Sequence, residues 1–218
     1  MGNDIKNIIF KCPIYSMRNT KLMKREPSAQ IISNYPKQLY SGYQTDIPYE
    51  FRTNNDYKYI FTVIDHFSKL AQSYLLKDKT AKNIITSLNK FIEFYGKPNE
   101  FSSDNGREFI NSSIESYSES NNIHLIRSRP YNSKSQRIVG RIHSTIRKAL
   151  LCKSIENPSN FNLEIALNKV MNTYNNLVHK STKKTPNEVF YSAKQTLYDE
   201  VKSNCIKSFL KNLQYNFK

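Results

Sequence analysis

An α/β fold, a mixed sheet with helices on its faces, is the class this sequence predicts, and three features carry the prediction. Short runs rich in β-branched and aromatic residues come first, helical and strand-like segments then alternate, and helices follow. Each element has its own signal. YQTDIPYEF alternates as a strand does, YKYIFTVIDHFS reads as a buried strand, and LAQSYLL supplies a third. Thr80 opens a helix whose Ile84, Ile85, Leu88, Phe91, Ile92 and Tyr95 recur at three- and four-residue spacing, with Gly96 and Pro98 as the stop. EFSSD is a short strand, residues 111–121 are helical, HLIRS is another strand, and 129–137 form a polar loop. Val139, Ile142, Ile146, Ala149 and Leu150 then make one apolar stripe of a helix, leaving Gly140, Ser144, Arg147 and Lys148 on the opposite face. A further helix spans 161–178.

Composition bounds the function. The 218 residues are 38% hydrophobic, enough for one core, and 33 Lys and Arg against 18 Asp and Glu give a net charge of +15. That excess points to a polyanionic partner, nucleic acid rather than a membrane. No run approaches the roughly 18 apolar residues of a membrane span, and MGNDIKNIIFKCP lacks the pattern of a secretory signal, so an intracellular location is expected. Cys12, Cys152 and Cys205 are far apart and odd in number, which argues against a disulfide framework. His66, His124, His143 and His179 form no local cluster with cysteine at zinc spacing, so no zinc is expected. Residues 1–39 read as a basic arm, and the character of the chain changes at Tyr40, where the core begins.

Three positions stand out chemically. Asp46 lies inside a predicted strand, where a carboxylate is unexpected, and Asp104 ends a short strand just before the turn-forming Asn105 and Gly106. Either each serves an exposed edge and a turn, or both face a ligand. Gly140 falls in the first turn of a predicted helix, where glycine costs about 1 kcal/mol relative to alanine.

YQTDI, VIDHFSK, SSDNGREF and RPYNSKSQRIV, followed by YNNLVHKSTKKTPNEVFY, resemble in order and spacing the catalytic core of retroviral and retrotransposon integrases, above all those of gypsy-type elements. The resemblance covers roughly residues 40–191, which it implies to be the core, with a short basic tail expected over 192–218. It implies a ribonuclease-H-like fold, a mixed five-stranded sheet flanked by helices, and the chemistry of DNA integration. In that family two Asp and a helix-borne Glu hold two Mg2+ or Mn2+ ions, which clamp the attacking and leaving oxygens of a phosphodiester in line. Asp46 matches the first Asp and Asp104 the second, so both are the expected catalytic and metal-binding residues. Residues 105–139 then intervene, the 35-residue interval of the retroviral pattern, and the next position is Gly140. The motif whose usual form resembles PQSQGxVE here reads SKSQRIVG. No acidic residue occurs from Ser120 to Ile155 to replace the missing one. Asp65 also resembles a family position, and its expected role is structural.

The family's N-terminal zinc module is reduced to CPIYSMRNTKL, with Tyr15 in place of the second cysteine of its pair. The resemblance therefore implies a nucleic-acid-binding protein in the nucleus, derived from a DNA-integration enzyme and silenced at Gly140, with a weakened Mg2+ or Mn2+ site. One alternative is an impaired strand transferase or nuclease working on Asp46 and Asp104 alone; another is a partner of an intact integrase. Eight basic residues and no acid lie between Arg127 and Lys153. Lys134, Arg137, Arg141, Ser144, Arg147 and Lys148 are the expected DNA contacts, and a homodimer through the core is the expected assembly.

Overall fold

The computed structural model describes residues 33, 35–48, 51, 56–103, 106, 108–127, 137–156 and 158–215, without the side chains of 137–139, 209 and 211–215. Most of the expected basic arm, together with Asp104 and Lys134, lies outside the described residues. The elements run β1 (Leu39–Asp46), β2 (Tyr59–Asp65), β3 (Ala71–Leu76), α1 (Ala81–Tyr95), β4 (Glu100–Ser103), α2 (Ser112–Ser120), β5 (His124–Arg127), α3 (Arg137–Glu156), α4 (Leu163–Asn176), α5 (Pro186–Tyr191) and α6 (Gln195–Tyr215). A 3-10 turn, Pro158–Asn160, joins α3 to α4.

The strands form one mixed sheet in the order β3-β2-β1-β4-β5. β1 is antiparallel to β2 and parallel to β4, β2 is antiparallel to β3, and β4 is parallel to β5. β1 begins at Leu39, earlier than the YQTDIPYEF run suggests, because buried Leu39 and Tyr40 pair with Glu100 and Phe101 of β4. Beyond Asp46 the run leaves the ladder; Ile47 and Phe51 enter the core from a loop held by Ile47 N–H to the Lys58 carbonyl at 2.8 Å.

Alternation along the strands separates two apolar layers. Tyr40, Phe61, Val63 and Phe101 pack with Ile84, Leu88 and Phe91 of α1 and Ile114 of α2 on one face. Ile60, Ile64 and Ala71 pack with Ile142, Ile146 and Leu150 of α3 and Leu163, Leu167 and Met171 of α4 on the other. The start of α1 differs in detail from the expected cap: the Thr80 hydroxyl donates to Asp78 at 2.6 Å and caps no backbone N–H. The segment expected to be a short tail carries α6. Its Val201 packs with Phe67 and Val189, and Leu197, Tyr198 and Cys205 flank them.

Two polar devices fix the rest. Asn175, near the end of α4, accepts from Ala71 N–H at 3.0 Å and donates to the Ala71 carbonyl at 2.8 Å, closing the backbone at the start of edge strand β3. Asp65, fully buried, accepts from Lys37 N–H at 3.0 Å and from the Ser68 N–H and hydroxyl at 2.7 and 2.6 Å, which brackets the β2–β3 turn. Burial pushes its carboxyl above the usual carboxylate range, and these hydrogen bonds oppose that shift.

Asn175→Ala leaves both Ala71 backbone groups unpaired in a buried position, so urea denaturation is expected to show a loss of about 2 kcal/mol or more. A second expectation concerns acid. His66 is buried with its Nε2 2.6 Å from the Ser41 hydroxyl oxygen, and burial, with the Lys69 charge beside it, lowers its pKa to about 3. The unfolded chain protonates this ring near pH 6.5 and the fold does not, so the unfolded state binds more protons in between. Stability should therefore fall as pH drops from about 6.5 towards 3, and His66→Gln should flatten that part of a pH series of urea midpoints.

Candidate active site and nucleic-acid interface

Helix α3 reaches the central strand through a ring contact, Tyr43 against His143, with centroids 5.1 Å apart. His143 lies one turn beyond Gly140. Burial, helped by Arg147, lowers its pKa to about 4, so the ring is neutral near pH 7, and its Nε2 is buried with no hydrogen-bond partner. Gly140 itself is exposed, and a Cβ added there would meet no atom within 4 Å. No steric demand accounts for a glycine at this position.

Asp46 ends β1 on the face that carries Tyr40 and Gly42, on the α1 side of the sheet. Its carboxylate is exposed and meets the Lys79 ammonium at 3.4 Å, and the same ammonium lies 4.8 Å from the centre of the Tyr59 ring. Tyr43, which α3 touches, lies on the opposite face. β4 ends at Ser103 opposite Gly42, so Asp46 stands four residues further along β1, roughly 13 Å at strand rise. Asp104 follows Ser103 and lies outside the described residues.

The donor set tests whether two divalent ions fit. Among the described residues no three His, Cys, Asp or Glu side chains lie close enough to hold a metal ion. Asp46 offers one carboxylate already facing an ammonium, and Gly140 offers no donor. Of the three expected ligand positions, Asp46 is the one described carboxylate, Gly140 carries no donor, and Asp104 lies outside the described residues.

The basic face divides in the same way. Arg141, Ser144, Arg147 and Lys148 are exposed along α3, and among the described residues no carboxylate pairs with the three cations. Arg127 is paired with Glu115, and Lys153 with Glu156 at 2.6 Å, so two members of the basic run are locally neutralised. Arg137 belongs to the first turn of α3, but its side chain lies outside the described residues, as does all of Lys134. Cys152 and Cys205 are free thiols.

One feature of this face escaped the motifs. Burial, with Arg141 contributing, lowers the Lys69 ammonium below the usual lysine range, and burial with Lys69 and Arg141 brings His179 to about 4, so its ring is neutral near pH 7.

Comparison with known proteins places this geometry. Residues 36–133 match the family model for the integrase core domain. The chain is 26% identical over 209 residues, 95% of its length, to the retrovirus-related Pol polyprotein from transposon gypsy of Drosophila melanogaster. It is 28% identical over 140 residues to the transposon Tf2-3 polyprotein of Schizosaccharomyces pombe. It spans 20% and 10% of the length of those two relatives. Among solved structures, the simian T-cell lymphotropic virus intasome in complex with PP2A regulatory subunit B56 gamma has a chain similar with TM-score 0.70 and 22% identity, over 89% of this chain and 68% of that one. The HTLV-2 integrase catalytic core in complex with magnesium, in its trimeric form, gives TM-score 0.62 and 23% identity, over 75% of this chain and 100% of that one. These similarities identify the mixed sheet and its helices as ribonuclease-H-like. Over residues 36–133 the chain is similar to the integrase core domain, and the relatives it resembles are of the retroviral and retrotransposon kind.

Proposed function

We propose that this chain is a DNA-binding integrase core that has lost strand-transfer activity. The observation that carries the reading is Gly140: an exposed helix position where the family's pattern has a metal-binding Glu, with open space in place of a carboxylate. Loss of one well-placed electrostatic group costs a transition state about 3 kcal/mol, and loss of a shared metal ligand costs at least that. Asp46, with Lys79 as its counter-ion, supports the same reading.

Binding rests on the same exposed side of α3. Exposed Arg141, Arg147 and Lys148, on a chain of net charge +15, suit a phosphate backbone, with affinity that is salt-dependent and largely indifferent to sequence. Self-association through the core belongs to this reading, and sedimentation of the purified chain tests it.

The decisive experiment is nicking of supercoiled plasmid in Mn2+ by the chain as it stands, by Gly140→Glu and by Asp104→Asn. The native sequence is expected to leave the plasmid intact while retarding it in a gel. Cutting by the native chain that disappears in Asp104→Asn would overturn the reading and establish a working two-carboxylate site. Gly140→Glu is also expected to fold as well as the native chain or better, raising the melting temperature by a few degrees at most, because the new side chain meets open space and replaces a helical glycine. A marked drop in melting temperature would show that glycine has a structural role at 140.

A further inference from the structure

The last row of the sheet carries a cation over a carboxylate. Asp46, Tyr59 and Leu76 lie side by side on β1, β2 and β3, Asp46 opposite Tyr59 and Tyr59 opposite Leu76. Backbone bonds close this row: Ile47 N–H donates to the Lys58 carbonyl at 2.8 Å, and Lys58 N–H donates to the Leu76 carbonyl at 2.9 Å. Lys79 follows Leu76 by three residues, and the chain leaving β3 carries it back over the row. Its ammonium lies 3.4 Å from Asp46 Oδ1 and 4.8 Å from the centre of the Tyr59 ring. One side chain thus engages both members of a single cross-strand pair.

The residues flanking Lys79 are braced independently of it. The Asp78 carboxylate accepts from Thr80 N–H at 3.1 Å, from the Thr80 hydroxyl at 2.6 Å and from the Asn83 amide at 2.7 Å. These donors tie the connection after β3 to the first turn of α1. They also occupy the acid adjacent to Lys79 in sequence, and the carboxylate that its ammonium meets is Asp46. An exposed ion pair is usually weakened by the entropy of holding a long side chain in place. A braced backbone and an aromatic face under the ammonium reduce that cost. The Asp46 side chain is 68% exposed, so a dissolved cation can reach this carboxylate, but it arrives where an ammonium is already held.

We propose that Lys79 is a tethered cation that competes with a divalent metal ion for Asp46. The proposal rests on the reading of a silenced core and adds a second position, apart from Gly140, at which the metal site is weakened. An ammonium and a divalent ion a few ångströms apart repel one another, which in water at physiological salt lowers the affinity for the metal by about fivefold. A carboxylate restored at 140 leaves this competitor in place.

The test follows the Tyr59 ring resonances by NMR while the purified chain is titrated with MnCl2 at fixed pH and ionic strength, since bound Mn2+ broadens the protons nearest to it. In Lys79→Met, half-broadening is expected at about fivefold lower Mn2+ than in the native chain. Lys79→Arg keeps the charge, and Lys77→Met removes one from the same exposed segment two residues away. Both are expected to titrate like the native chain. Adding Asp46→Asn to Lys79→Met should abolish the gain. The proposal is overturned when Lys79→Met titrates like the native chain, when Lys79→Arg or Lys77→Met gains as much, or when the gain survives the loss of Asp46. Each of those results leaves the silenced core standing, because that reading fails on a different observation, cutting of plasmid by the native chain.

Discussion

Strand β1 pairs on both sides, antiparallel to β2 and parallel to β4, and that double pairing is the constraint on which the rest of the molecule depends. A strand buried on both edges and both faces has no freedom of register, because a slip of one residue would exchange its two faces. Gly42 shows how tight the fit is. A Cβ there would collide with the Phe101 ring and lie 3.0 Å from Phe61, so the aromatic layer against α1 occupies the space that a side chain would need. Tyr43, the next residue, points into the opposite layer and is where α3 makes its ring contact with the sheet.

Helix α3 thus has two faces with independent physics. Ile142, Ile146 and Leu150 are held by the core and fix the helix in place whatever lies on its outer side. Gly140, Arg141, Ser144, Arg147 and Lys148 are exposed and contribute little to that packing. A residue needed only for chemistry can be lost from such a face without loss of the fold. A cationic surface on the same face is retained at no cost to the core.

Much of this was legible in the sequence, for particular reasons. The stripe Ile84, Leu88, Phe91 and the β-branched run of β2 have the period of their elements, and both appear where expected. β1 was displaced because alternation in YQTDIPYEF continues past the point where pairing stops, at Asp46. α6 was missed although Leu197, Val201 and Cys205 recur at helical spacing; the charged residues among them masked a stripe that buries only a small cluster. The glycine at 140 is singled out by counting along the chain, and the fold adds that the position is exposed with open space around it. The clamp of Asn175 on Ala71 was not legible, because no local pattern links residues 104 positions apart.

Glycine at 140 acts on two electrostatic terms of opposite sign. It removes a donor that a divalent ion would need, which weakens any site for catalysis. It also removes a negative charge from a helix whose exposed neighbours are Arg141, Arg147 and Lys148, with no acidic residue anywhere from Ser120 to Ile155. A carboxylate without its metal would repel a phosphate approaching this face, and several such interactions sum within about a Debye length of 8 Å at physiological salt. Without a metal at this face, glycine would favour phosphate binding more than glutamate. On the proposed reading, loss of catalysis and retention of a nucleic-acid surface are two consequences of one position, and no separate change is needed to account for the second.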